Sequence, residues 1–146
     1  MLYIEFDILD QSKFTDFQYI YTVIADLKRH ETQESMSFWN KLIPDYAKAY
    51  FPLNDKTVIY NHITFEQLVE YLQCNLDAEF DALDTIEKNR GRLDFTAFGY
   101  PYGGMDWLIL FLKAFDCPAY QIYNGFNTNK VTWTADFDFE CEVIDK

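Results

Sequence analysis

The chain has 146 residues, of which 49% are hydrophobic and 19% aromatic, and it carries 24 acids against 12 bases for a net charge of -12. That length fits one domain, and the aromatic content excludes intrinsic disorder while supplying a core that needs neither disulfides nor metal. So acidic a chain repels nucleic-acid phosphates and anionic lipid and attracts basic protein.

In chain order, "LYIEFDIL" alternates as a strand, with Leu2, Ile4, Phe6 and Ile8 on one face and Tyr3, Glu5 and Asp7 on the other. The opening "MLYIEFDIL" has two acids and no basic segment, so it does not read as a signal peptide. Thr15 or Asp16 is expected to cap a helix whose inner face is Phe17, Ile20, Tyr21, Ile24 and Leu27, ending favourably on Lys28, Arg29 and His30. A second helical stretch runs from about Ser35 to Phe51, with Pro44 predicting either a kink or a new helix that has the proline in its first turn. "TVIYNHI" reads as a short strand or extended connection.

Thr64 and Gln67 form a capping box, and Ile63 is placed to staple against Leu68. The helix that follows either ends near Asn75 or passes into a second, acidic helix, which Leu76, Phe80, Leu83 and Ile86 or Glu87 favour by spacing. "LDFTAF" reads as a strand and "GYPYGG" as a loop. "MDWLILFLKAF" reads as a buried helix, with Trp107, Leu108, Phe111, Leu112 and Phe115 packed against a sheet. "AYQIY" is a strand, "NGFNTN" a turn, and "KVTWT" with "DFDFECEVI" either two strands or one bent strand. The expectation is a single α+β domain over residues 1–146, a mainly antiparallel sheet with several packed helices.

No catalytic signature is visible. None of the three serines lies in a G-x-S-x-G elbow, and "GYPYGG" lacks the lysine of a phosphate-binding loop. Cys74, Cys117 and Cys141 form no CxxC and no zinc pattern with His30 and His62. They read as free thiols in a reducing, cytoplasmic setting. No stretch is long enough to span a bilayer, and neither a metal nor a cofactor is expected.

The candidate site is a surface. Asp136, Asp138, Glu140 and Glu142 share one parity of an alternating strand, with Phe137, Phe139, Cys141 and Val143 on the other, core-facing parity. Asp77, Glu79, Asp81, Asp84 and Glu87 form a second acidic run with no base between them. A solvated strand face and a guarded sheet edge both explain acids in such places, but neither requires charges of one sign. A cationic protein partner does. Tyr100 and Tyr102, on a glycine-flanked loop, are candidate contact residues because tyrosine brings area at low entropic cost.

In composition the chain resembles the small, acidic, aromatic-rich bacterial immunity and inhibitor proteins of toxin systems. That resemblance implies a cytoplasmic protein that neutralises a basic, nuclease-like toxin, its carboxylates standing where substrate phosphates bind and an aromatic side chain serving as hot spot. The alternative is a small enzyme or ligand-binding domain with an aromatic-lined pocket and a carboxylate, Asp94 or Asp106, as acid or base.

Overall fold

The structure is a computed structural model that describes residues 1–51, 63–98 and 104–144. Within them run β1 (Leu2–Asp7), α1 (Gln11–Arg29), α2 (Met36–Leu42), α3 (Asp45–Lys48), α4 (Phe65–Glu70), β2 (Ala78–Glu87), β3 (Arg90–Ala97), α5 (Gly104–Lys113), β4 (Ala119–Tyr123), β5 (Thr128–Trp133) and β6 (Phe139–Val143). The six strands form one sheet in the order β2-β3-β1-β4-β5-β6, every neighbouring pair antiparallel. The protein is α+β.

β1 sits near the middle of the sheet and alternates as its sequence dictates. Leu2, Ile4 and Phe6 are buried and the residues between them are half-buried. Register carries that apolar face sideways: Ile4 lies opposite Leu93 on β3 and Ile122 on β4, and Phe6 opposite Gly91 and Ala119. Gly91 must be small, because a Cβ there would fall 2.5 Å from Cε2 of the buried Phe6 ring.

Helices cover this apolar face. α1 buries Phe14, Phe17, Ile20 and Ile24, while Tyr21 and Leu27 are partly buried at its margin. Its cap is Asp10, not Thr15 or Asp16: the Asp10 carboxylate accepts from the backbone N–H of Ser12 at 3.0 Å and of Lys13 at 3.3 Å. The first turn is polar apart from Phe14, so the apolar period starts later than the helix does. The stretch after it divides at Pro44. Ile43 is extended, as the residue before a proline prefers, and Pro44 is the N-cap of α3. The capping box of α4 is present, with Gln67 N–H donating to Thr64 Oγ1 and Thr64 N–H to Gln67 Oε1; Ile63 and Leu68 are both buried. α4 runs on into a single π-helical turn, Tyr71–Asn75.

α5 packs as its composition requires. Leu108, Phe111 and Leu112 are buried on the helix and Phe115 in the turn after it, while Trp107 is only half-buried against Tyr71. Phe17 of α1 meets Phe111 at 5.5 Å and Phe115 at 5.2 Å between ring centroids, in tilted and edge-on geometry, which ties the two longest helices together.

Two further expectations are overturned. The acidic run after Asp77 is not a helix but β2, a strand that pairs with β3 across a tight turn at Lys88 and Asn89. And "DFDFECEVI" is not one continuous two-faced strand. Residues 136–138 form the turn that closes the β5–β6 hairpin, where Thr134 N–H and Ala135 N–H both donate to Asp138 O. Only Phe139–Val143 is strand. Its parity is the expected one, since Phe139, Cys141 and Val143 stand in register with Trp133, Val131 and Asn129. Their burial is not. Phe139 rests on Trp133 at 5.0 Å and is half-buried, but Cys141 is exposed and Val143 is 46% exposed. β6 is the outermost strand, and the covering layer leaves these positions open.

Candidate functional site

Helices lie over the apolar side of the sheet, and no described helix lies over its other side. At its centre, residues from β1, β3 and β4 form one connected polar and aromatic cluster. Arg92 donates from Nη1 to Glu5 at 3.2 Å and from Nε to Asp94 at 3.0 Å. Its guanidinium carbon lies 3.8 Å from the centroid of the Tyr3 ring, a close cation–π contact. Tyr3 in turn stacks on Tyr123 at 5.9 Å and accepts at its hydroxyl from Gln121 Nε2 at 3.0 Å. Arg90 lies over Tyr120 at 4.3 Å and pairs with Asp7 at 3.1 Å. The Glu5 and Asp94 side chains are only 14% and 15% exposed, so these carboxylates are held in place and largely screened from water by their neighbours.

The acidic runs flank this centre. Glu79 lies opposite Thr96 and Asp84 opposite Arg92, which sets both on the uncovered side of β2. Asp81 is the extra residue of a β-bulge and accepts from Thr96 Oγ1 at 2.7 Å. Glu140 and Glu142 lie on the same side of β6, opposite Thr132 and Lys130. Acids therefore line both edges of one uncovered face, roughly 24 Å apart at the usual strand spacing. The second run is less isolated than its sequence implies: β3 supplies bases in register, Arg92 against Asp84 and Arg90 against Glu87.

Other expected residues fall elsewhere. Asp136 is in the β5–β6 turn, 84% exposed and 3.6 Å from Lys113, and its backbone oxygen accepts from Tyr50 Oη. Asp138 is half-buried in that turn. Asp77 precedes β2, where its carbonyl accepts from Phe98 N–H. Tyr100 and Tyr102 lie outside the described residues, as do "TVIYNH" and His62. The central cluster has no local motif in the sequence. Its one trace in the sequence is the polar and aromatic parity of β1, β3 and β4.

A cleft of about 570 Å³ opens elsewhere, where the end of α1, the π-helical turn and the start of β2 meet; Lys28, Gln33, Cys74, Asp77 and Phe98 are among its walls. Burial pushes the Lys28 amine below its ordinary pKa. Its Nζ already donates to Leu76 O at 2.6 Å, however, so it braces the turn that leads into β2. Neither Asp94 nor Asp106 lines this cleft. Asp94 is committed to Arg92, and Asp106 is exposed on the first turn of α5. Among the described residues no group of three or more His, Cys, Asp or Glu side chains is placed to hold a metal ion, and no helix is long and apolar enough to cross a membrane.

All three cysteines are free thiols, with Cys74 and Cys141 exposed and Cys117 buried. Burial comes first in pushing the Cys117 thiol up to about 12, with Asp116 adding to it. A thiol so raised is almost wholly protonated at neutral pH and is a poor nucleophile. Iodoacetamide on the folded protein should therefore label Cys74 and Cys141 and spare Cys117. Titration after denaturation should find three reactive groups, and finding one would mean that a disulfide joins the other two.

No family model matches the chain, and neither a curated protein nor a solved structure matches it.

Proposed function

We propose that this protein binds and neutralises a basic protein, in the manner of an immunity protein against a nuclease-like toxin, and that it docks through the uncovered face of its sheet. The observation that carries this reading is the layout of that face: a held cluster around Arg92, Tyr3 and Tyr123, with acids in register along both edge strands. Glu79, Asp81, Asp84, Glu140 and Glu142 are all exposed, so they supply long-range attraction that speeds encounter with a cationic surface. Arginine and tyrosine at the centre are the residue types that most often carry binding energy once desolvated. Against a nuclease, the edge carboxylates would occupy the places of substrate phosphates.

The alternative, a small enzyme using Asp94 or Asp106, draws less from the same geometry. Asp94 is held in an ion pair with Arg92, and among the described residues the large cleft has one aromatic wall, Phe98.

The test starts with a partner recovered from the native host at low salt and released at high salt. Charge reversal at one residue on each edge, Glu79→Lys with Glu140→Lys, should then slow association about tenfold and flatten its salt dependence, because steering acts on the on-rate. Stability should move by no more than about 0.5 kcal/mol, as for other exposed positions. An unchanged rate and salt slope in the doubly reversed variant would remove this face from the interaction.

A further inference from the structure

We infer that the basic partner engages this protein by adding an extended segment to the outer edge of β6, which no described strand pairs, a segment in which basic and apolar residues alternate. The inference rests on the docking reading above and specifies the contact. The two edges of the sheet differ. β2 is irregular, with register shifts between Phe80 and Ala82 and between Thr85 and Glu87, and bulges of this kind turn an edge away from further pairing. β6 pairs with β5 through five consecutive residues without a shift.

Hydrogen-bond parity then fixes which groups β6 offers. In an antiparallel pair, alternate residues exchange both backbone bonds with the partner strand, and the residues between them point theirs outward. Ile144 N–H donates to Thr128 O at 3.0 Å, and Thr134 N–H donates to Asp138 O at 2.9 Å. The even-numbered residues of β6 therefore face β5. Phe139, Cys141 and Val143 direct their N–H and C=O groups away from the sheet, where no described strand meets them.

The side chains select the occupant. On one side β6 shows Cys141 and Val143, the latter 46% exposed, an apolar margin that no described strand extends. On the other side stand Glu140 and Glu142. An added strand with apolar residues beside Cys141 and Val143 would extend the covered layer of the sheet. Lysine or arginine at its alternate positions would meet the two glutamates, and opposite charges directly across strands are stabilising. A second copy of this chain is a poor occupant. In a two-fold antiparallel pairing centred on Cys141, Glu140 of each copy would face Glu142 of the other, which is destabilising. Addition of a strand to an open edge draws affinity from main-chain bonds and specificity from alternate side chains, and β6 has both parts in place.

The probe is a short, terminally blocked peptide alternating lysine with valine, compared with one alternating glutamate with valine. Amide exchange is followed at Phe139, Cys141 and Val143. Saturation with the lysine peptide should slow exchange at these three amides by about tenfold or more, and the glutamate peptide should have no effect. Cys141→Pro should abolish the protection. The N–H that it removes points away from β5, so an edge strand tolerates the change, and unaltered exchange elsewhere in the sheet checks that the variant is folded. No protection of the three amides by the lysine peptide in the wild-type protein, or equal protection by both peptides, would overturn the inference. Binding of the basic partner separates its failure from that of the docking reading. If the partner leaves Cys141→Pro no faster than wild type while it associates more slowly with the doubly reversed variant, the docking face stands and strand addition falls. If both bind as wild type does, the docking reading falls with it.

Discussion

Phe111→Ala should destabilise the protein by about 3–5 kcal/mol, the usual range for emptying a buried phenylalanine site. Phe111 is 2% exposed at the point where α1, α5 and the turn after α5 converge. Its ring touches Phe17 at 5.5 Å and Phe115 at 5.5 Å, the latter nearly perpendicular. Phe17 and Phe115 also touch each other, so the three rings close a triangle and truncating one breaks two of its sides. A void walled by rings and helix backbone collapses poorly, which puts the cost toward the upper part of the range. Urea unfolding should show a lower midpoint with an unchanged slope. Tyr19→Ala is the matched control: Tyr19 is 65% exposed on α1, and its loss should cost no more than about 0.5 kcal/mol. If Phe111→Ala cost less than about 1 kcal/mol, the two helices would not meet as described.

Much of this architecture is legible in the sequence because its signals are local. The capping box at Thr64 and Gln67 needs four residues, and β1 declares itself by strict alternation. β2 misleads for a definite physical reason. Ala78, Phe80 and Leu83 all turn toward the core, but the bulge at Asp81 inserts a residue and stretches the last step from two to three. With Leu76 also buried, the apolar positions fall four and then three apart, which is the spacing of a helix face. β6 fails differently. Its parity is local and was readable, whereas the cover over that parity depends on where the helical layer ends. The central cluster was the least legible part. Glu5, Arg92 and Gln121 come from three strands far apart in sequence, and nothing near any one of them announces the other two. The same distance hides the bases that face the acids of β2.

Arg92→Met should cost about 2–3 kcal/mol, somewhat less than the loss of one partner from a fully buried ion pair. Methionine keeps an unbranched apolar stem over the Tyr3 ring, so the change removes mainly the charge and its donors. What remains is two carboxylates, Glu5 and Asp94, each about one-seventh exposed and previously sharing one guanidinium. Glu5 keeps only long contacts of 3.5 Å from Tyr120 and Gln121, and Asp94 loses its ion pair. The cost is thus chiefly that of stranded charge and not of lost packing. Neutralising the acids should return most of the stability, so Arg92→Met with Glu5→Gln and Asp94→Asn should unfold within about 1 kcal/mol of the wild type, since residues of one network couple strongly. The triple variant also separates two roles of Arg92. It restores the fold but removes the charges of Arg92, Glu5 and Asp94 from the centre of the uncovered face, while the edge acids stay intact. With a basic partner in hand, its association rate should stay near that of the wild type, because the edges steer, and dissociation should speed up, because the centre holds. If the single and triple variants were equally unstable, packing and not ion pairing would account for Arg92. If the triple variant dissociated at the wild-type rate, the cluster would be scaffold alone, and the binding energy would have to come from the edge strands.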